Sequence, residues 1–521
     1  MAHIPLICYA IQGQSPVLSG MMLDNGLALL AAELLEAGHK PMIFDYNTVG
    51  SIEHIARLGK EHFLESIISE LAGYVEKHEV KSAGMKLYAN GFADSVHIAH
   101  ELKRRYPKLI LVAGGPQVGW FGRAIFEYGQ QVFGDDVFDA LVPGEGDASV
   151  VAMADGAPPS GIPGAFFRDE AGKIQKTAVK EMCDLDSLPF PVYIDAVYPA
   201  VREKVTIPVV EDTRNCDWRK CSFCIHPRIG GTFRQKSVPA IVREIKHNRD
   251  EYGFRFFRLG GPDPVPAYVT QVAKNIPLDC KFSVFGRADG QGYDLDLLAD
   301  KLEGGIFIGL ESADEGMLKS MLKTYDPAAY LANARRMIKA FKEKGLPTVV
   351  SCIIPSANDT TQSMERTFDF LVETQPDFAP CLPMMPMPGT PLARKGELAG
   401  VKMEEGYELK LMRYELDLLR PSSEWPSPPW TLNVDGRWAE NPFLLNAKFR
   451  ERLLQHGLAP FSDEVVLMAA LYHGELSKDQ VVRRQQCHVF YDQWRNALQK
   501  KDVAALRQTI SRVNGAVSVR R

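Results

Sequence analysis

The stretch Asn215-Cys216-Asp217-Trp218-Arg219-Lys220-Cys221-Ser222-Phe223-Cys224 constrains this chain more than any other. Three cysteines fall within nine residues, with four residues in the first gap and two in the second. An apolar run, Val205 to Val210, precedes them. A loop rich in glycine and basic residues follows (His226, Arg228, Gly230, Gly231, Arg234). The cysteines therefore stand where a strand gives way to a loop, before the next helix. Three thiolates this close can hold a metal centre. A four-iron cluster usually takes four cysteines, so three would leave one iron open to another ligand. Structural zinc is the competing reading, with His226 close enough in sequence to be a fourth ligand. The plainer alternative is three unconnected buried thiols, although free cysteines are usually scattered.

A chain of 521 residues has room for two to four domains. Its apolar share of 45% and charged share of 24% are ordinary for a globular protein, so several cores can be buried without disulfides. A net charge of -5 gives no electrostatic argument for nucleic acid or an anionic membrane. No apolar run approaches the roughly 20 residues that span a bilayer, and the start does not read as a signal peptide. Nine cysteines with one cluster fit a reducing compartment, and a cytoplasmic location is expected.

The first 150 residues alternate short apolar runs with helical patterns. Strands are expected at Ile4 to Ala10, Lys40 to Tyr46, Ser82 to Tyr88, Leu109 to Ala113 and Ala140 to Val142. Helices are expected at Met21 to Ala37, stopped by Gly38, at Ile52 to His78, and from about Ala93 to Tyr106. This order argues for a Rossmann-like, doubly wound parallel sheet, whose ligands bind beyond the carboxyl ends of strands. The turns Gly114-Gly115-Pro116 and Pro143-Gly144-Glu145-Gly146 lie there. Alone, such glycines are more often just tight turns. Residues 151–204 read as a proline-stiffened linker with a short strand pair around Gly164 to Phe167.

From 205 to 394 the alternation resumes, with strands at Val205 to Val210, Phe254 to Leu259, Lys281 to Phe285, Gly305 to Leu310, Thr348 to Ile354 and Phe378 to Leu382. Six strand–helix units fit a partial (β/α)6 barrel, whose site lies at the carboxyl ends of its strands. Cys352 and Cys381 fall in apolar strands and read as core. Residues 395–521 read as a C-terminal helical domain. Within it, Glu405 to Leu419 is expected as a helix with Leu409, Met412 and Leu416 on one face, and Val517 to Arg521 is expected to fray. The segment Pro421 to Trp430 either covers the barrel mouth or packs between domains.

The cysteine loop resembles that of the radical S-adenosylmethionine (radical SAM) superfamily. There the usual gaps are three and two residues, and an aromatic, here Phe223, precedes the last cysteine. The longer first gap resembles the variant loop Cys-Pro-Trp-x-x-Cys-x-Phe-Cys; Trp218 matches it and Asp217 replaces the proline. The N-terminal segment resembles the cobalamin-binding domain attached to many such proteins. It does so through residues 27–39 (Leu27 to His39), Ala113-Gly114-Gly115-Pro116 and Pro143-Gly144-Glu145-Gly146-Asp147. The corrinoid motif Asp-x-His-x-x-Gly is absent; His39, His54 and His97 are outside its frame.

The resemblance implies that Cys216, Cys221 and Cys224 hold a [4Fe-4S] cluster and that S-adenosyl-L-methionine completes it. Gly260 and Gly261 would take the place of the family's Gly-Gly-Glu turn, with Pro262-Asp263 a departure from it. Arg287 would pair with the methionine carboxylate, its alternative being an ordinary ion pair. Glu311 and Ser312 would lie near the ribose and carboxylate, and Ser351 is a weaker candidate for the same pocket. Gly114, Gly115, Pro116, Gly144, Glu145 and Gly146 would line a cobalamin site. The reaction implied is a 5′-deoxyadenosyl radical abstracting hydrogen from an unactivated carbon of a small-molecule or peptide substrate, followed by methyl transfer from methylcobalamin. The catalytic residues are not legible. A reductant such as flavodoxin or ferredoxin is implied. Alternatives are cyclisation or ring rearrangement without methyl transfer, and a non-catalytic corrinoid- or zinc-binding regulator. RNA-directed methylthiolation is disfavoured, since no basic RNA-binding domain is appended.

Overall fold

The computed structural model describes residues 1–517 apart from 13–14, 17–18, 180–181, 230, 415–420 and 440. Gly230, Leu416 and residues 518–521, on which parts of the expected basic loop, helical face and frayed end rest, lie outside that set. The chain forms two compact units. One comprises residues 1–206 with 408–417 and 497–510; the other comprises 207–407 with 418–496 and 511–521.

In the first unit, near-continuous apolar runs become strands buried in a parallel sheet. These are β1 (His3–Cys8), β2 (Lys40–Asp45), β3 (Ser82–Lys86), β4 (Ile110–Gly114) and β5 (Ala140–Leu141). Their spatial order is 2-1-3-4-5, all parallel, and the antiparallel hairpin β6 (Phe166–Arg168) and β7 (Ile174–Lys176) extends the sheet past β5. The first long helix runs Asn25–Glu36 because Asp24 caps it, accepting the Leu27 N–H at 3.0 Å. Leu27, Ala28, Ala31, Ala32 and Leu34 give it a buried face. The stretch expected as one helix over Ile52 to His78 is two, Val49–Leu58 and Lys60–His78. Gly59 between them takes φ +86, which no right-handed helix allows. Two helices that the sequence pattern did not reveal, Pro116–Phe121 and Ala124–Phe133, follow the Gly114-Gly115 turn.

The second unit is built on six parallel strands in sequential order. They are β8 (Val209–Val210), β9 (Phe256–Leu259), β10 (Lys281–Arg287), β11 (Leu302–Glu311), β12 (Thr348–Ile353) and β13 (Cys381–Leu382). That order is the expected partial barrel. Helix Asp463–His473 is apolar on every side and is buried. It packs at Gly304, near the amino end of β11, where a Cβ would meet the Leu467 side chain at 3.1 Å. The C-terminal region is mainly helical, but it also holds an antiparallel sheet of Val401–Met403, Trp430–Val434 and Arg437–Ala439. Trp425 and Trp430 are buried in this unit, and the Trp430 indole donates to the Met384 carbonyl at 2.9 Å. No helix among the described residues is long and apolar enough to cross a membrane.

Arg483 and Asp377 are both fully buried and pair at 2.9 Å. Asp377 also accepts the Thr348 N–H at the start of β12. Removing the arginine leaves a buried carboxylate without its charge partner. Arg483→Leu is therefore expected to cost roughly 3–5 kcal/mol of stability. Arg335→Leu, which breaks the exposed pair with Glu373, is expected to cost less than about 1 kcal/mol. Urea unfolding of both variants checks the contrast.

Candidate metal and cofactor site

A short hairpin, Thr213–Arg214 against Arg234–Gln235, closes the base of the cysteine loop. Asn215 enters the loop with φ +69, its side-chain Oδ1 accepting the Cys216 N–H at 2.8 Å and its side-chain amide donating to the Gly231 carbonyl. Entry and exit are thus tied together. The loop is then fastened from outside. The Ser222 N–H donates to the Met321 carbonyl at 2.8 Å, and its own carbonyl accepts the Leu392 N–H at 2.9 Å. The Trp218 indole donates to the Leu322 carbonyl at 2.8 Å. The longer first gap is spanned in this way, with Arg219 at φ +53 making the turn.

Cys216, Cys221 and Cys224 are all half-buried and free, whereas Cys8, Cys280, Cys352, Cys381 and Cys487 are buried. Burial raises each of the three loop thiols, that of Cys224 to about 11. A bound metal reverses this preference, because thiolates are the ligands and the ion's charge stabilises them. Three accessible thiols on one pinned loop fit a cluster that lacks a fourth protein ligand. His226 is exposed at the start of the short helix His226–Ile229.

The carboxyl ends of β9, β10 and β11 surround this loop. After β9 come Gly260 and Gly261. A Cβ on Gly261 would lie 2.2 Å from the Thr213 hydroxyl and 2.7 Å from an Asp212 carboxylate oxygen, so only glycine fits. Asp212 is fully buried and accepts the Gly261 N–H at 2.6 Å. Its other oxygen has no hydrogen-bond partner among the described residues, and burial raises its carboxyl to about 7. Asp263 lies 3.7 Å from the Cys216 sulfur, and burial lifts it to about 6.

Arg287 closes β10. It donates to both oxygens of Asp289 at 3.0 Å and to the Lys323 carbonyl at 2.7 Å, with its guanidinium 4.8 Å from the Trp218 ring centre. Glu311 ends β11 with φ +69, buried, and holds the Lys323 ammonium at 2.8 Å. Tyr330 donates to the Gly309 carbonyl at 2.7 Å.

Of the residues singled out in the sequence, the three cysteines, Gly260, Gly261, Arg287 and Glu311 belong to these loops and strand ends. Phe223 is half-buried within the loop. Ser351 is half-buried on β12, in register with Gly309 of β11. Ser312 is buried and its hydroxyl is spent locally, on Thr367 and the Asp314 N–H. Asp212, Lys323 and Tyr330 were not picked out from sequence. They sit in no motif, and only folding brings them to the loop.

In the first unit, Gly114 ends β4 and Gly115 takes φ +91, where a Cβ would meet Lys86 at 2.8 Å and the Leu87 carbonyl at 3.1 Å. Pro116 opens the next helix. Gly144 is open, whereas Gly146 lies against Leu30. Ligand atoms of Glu145, Asp147 and Cys183 lie within 4.8 Å of one another. The switch point between β1 and β3 carries a polar network: Lys86 pairs with Asp24 at 2.7 Å, and the Tyr88 hydroxyl donates to Asp24 at 3.1 Å. His39 bonds Asp155 and His54 bonds His62.

Residues 210–371 match the Radical SAM superfamily. They form a radical SAM domain. The anaerobic magnesium-protoporphyrin IX monomethyl ester cyclase of Cereibacter sphaeroides is 22% identical over 320 residues, which cover 57% of this chain and 51% of that protein. This chain thus spans about half the length of that relative. The cytidylyl-2-hydroxyethylphosphonate methyltransferase of Streptomyces wedmorensis is 22% identical over 457 residues, 77% of this chain and 82% of that one. Among solved structures, the radical S-adenosylmethionine methyltransferase TsrM from Kitasatospora setae, with cobalamin and a [4Fe-4S] cluster bound, is similar with a TM-score of 0.65. Its identity is 14%, covering 94% of this chain and 99% of that chain. The likeness to TsrM is one of fold, and it extends beyond the radical SAM domain.

Asp212 gives a measurable consequence. Its folded pKa of about 7 lies above the ordinary 3.8. Between those values the folded protein keeps a proton that the unfolded chain has lost. Stability from this group is therefore fully present below about pH 4 and falls as pH rises toward 7, by up to about 1.4 kcal/mol per unit. Asp212→Asn is expected to flatten that slope in urea unfolding of the metal-free protein between pH 4 and 7. An unchanged slope would refute the assignment.

Proposed function

We propose that this chain is a cobalamin-dependent radical SAM enzyme that methylates an unactivated carbon of a small-molecule or peptide substrate. The observation that carries the reading is the pinned loop of three half-buried thiols at the carboxyl ends of parallel strands. Support comes from the match to the Radical SAM superfamily and from the fold shared with TsrM.

Cys216, Cys221 and Cys224 would hold three irons of a [4Fe-4S] cluster, leaving the fourth for the amino and carboxylate groups of S-adenosyl-L-methionine. Such a cluster supplies one electron to the sulfonium, whose cleavage yields methionine and a 5′-deoxyadenosyl radical. The Gly260-Gly261 turn, held by Asp212, would let backbone groups approach the methionine end. Arg287, kept in place by Asp289 and the Lys323 carbonyl, and Glu311 would set the charge around that end. Trp218, Phe223 and Ser351 would shape the surrounding pocket. The Gly114-Gly115-Pro116 and Gly144-Glu145-Gly146 turns would receive cobalamin, which supplies the methyl group, with no histidine from the corrinoid motif as lower ligand. A flavodoxin or ferredoxin would supply electrons.

A second reading keeps both cofactors and replaces methyl transfer by ring formation or rearrangement. The similarity to the magnesium-protoporphyrin IX monomethyl ester cyclase favours it. The mass of the product separates the two: one added carbon for methylation, an unchanged carbon count for rearrangement.

Anaerobic reconstitution with iron, sulfide and hydroxocobalamin is expected to give about four irons and one corrinoid per chain. Cys221→Ala is expected to abolish both the brown absorbance and cleavage of S-adenosyl-L-methionine while leaving corrinoid uptake intact. Retained cleavage in that variant, or zinc alone in the native protein, would overturn the cluster assignment. Iron without corrinoid would remove only the methyl-donor half.

A further inference from the structure

The short helix His226–Ile229 follows the cysteine loop and carries Arg228, an exposed residue to which the cofactor reading above gives no role. Its guanidinium lies directly on Gly389. A Cβ built on that glycine would stand 1.2 Å from Nη1, 2.0 Å from Cζ and 2.5 Å from Nη2 of Arg228. Gly389 also takes φ +73, a conformation that strains any residue with a side chain. The turn at 389 thus leaves a seat for the planar cation. That turn is well fastened. Thr390, buried, donates its hydroxyl to the Met387 carbonyl at 2.7 Å and accepts the Ala393 N–H at 3.2 Å. The Leu392 N–H ties the same segment to the Ser222 carbonyl of the cysteine loop at 2.9 Å.

Strands β8 and β13 are the two margins of the six-stranded sheet. The cysteine loop follows β8, and the segment 383–390 follows β13. Arg228 therefore reaches from one margin to the other at the carboxyl ends of the strands. Among the described residues its guanidinium has no hydrogen-bond or ion-pair partner. Arg258, Arg287 and Arg483 in the same unit each meet a carboxylate.

From this arrangement we infer that Arg228 receives an anionic group of the substrate, a carboxylate or a phosphate, at the open side of the barrel. The inference rests on the site reading above and goes beyond it in giving the substrate a charge and a residue that recognises it. A guanidinium presents a rigid fork of donors that matches either anion with two parallel hydrogen bonds. Seating that fork on Gly389 fixes its plane beforehand, which lowers the ordering cost of binding. The chain as a whole carries a net charge of -5, so a cation left unneutralised at the site entrance sets the local sign of the field. S-adenosyl-L-methionine also carries a carboxylate, and the test separates the two sources.

Phenylglyoxal modifies accessible guanidinium groups, and mass spectrometry of the peptides reads each arginine separately. The reconstituted full chain is labelled without oxygen, at constant ionic strength, in chloride, inorganic phosphate or acetate. Phosphate or acetate is expected to slow labelling of Arg228 several-fold relative to chloride, with exposed Arg437 unaffected. Protection by phosphate points to a phosphorylated substrate and protection by acetate to a carboxylate; either supports the inference. Equal labelling of Arg228 in all three salts overturns it. Gly389→Ala, which fills the seat, is expected to remove the protection at native iron content, and protection retained there overturns the assignment. Arg228→Gln is expected to bind S-adenosyl-L-methionine with near-native affinity in equilibrium dialysis. A marked loss of that affinity assigns the arginine to the cofactor's carboxylate and overturns the inference. Should Gly389→Ala lose the cluster, the salt dependence in the native chain and the Arg228→Gln affinity decide. A native chain that takes up no four-iron cluster overturns the underlying reading, whereas protection of Arg228 is measured in the metal-free chain as well, so the two failures are told apart.

Discussion

One buried carboxyl fastens the candidate site together. Asp212 follows β8, accepts the Gly261 N–H with its side chain and the Lys236 N–H with its carbonyl, and immediately precedes the hairpin that closes the cysteine loop. The Gly-Gly turn and both ends of the loop are thereby referred to one residue. A carboxyl with no access to water is costly to keep ionised, and its shift upward reflects that cost. Glycine at 261 is the counterpart of the same constraint. Any side chain there would displace Asp212 and Thr213, so the turn has backbone alone to offer a ligand.

The first unit meets the same problem at its sheet edge with paired charges. Asp24 caps a helix and binds Lys86 and Tyr88. Asp45 at the end of β2 binds Lys204 and Tyr198. These groups are largely withdrawn from solvent, so each charge needs its partner. The topological switch point, where doubly wound sheets bind ligands, is in this protein bordered by an internally neutralised network. Gly115 then passes against Lys86 and Leu87 so closely that a side chain would be excluded.

Much of the fold was legible in the sequence. Apolar runs of strand length separated by helical periods gave both parallel sheets, and residues 210–371 carried enough of a family pattern to be matched as a radical SAM domain. What escaped was local or long-range. Gly59 splits a helix whose apolar periodicity continues across the break. Trp430 opens a strand of a small antiparallel sheet in a region that read as helical, because its proline-rich surroundings mask the strand pattern. The sequence placed Arg287 beside the end of a strand, where it lies, but its contacts with Asp289 and Trp218 emerged only from the structure.

The sequence by itself determined the chemistry on offer: three thiols in one short loop, glycines at strand ends, and no corrinoid-motif histidine. Those are properties of neighbours along the chain, and spacing records them. The tertiary structure alone decided which charged residues gather around that loop. Lys323 lies about a hundred residues beyond Cys221 in sequence and in no motif. Strand β11 and the segment after it bring this lysine to Glu311 and to the cysteine loop. Electrostatic influence depends on distance through the folded interior and on exclusion of water, and neither quantity is written in residue order.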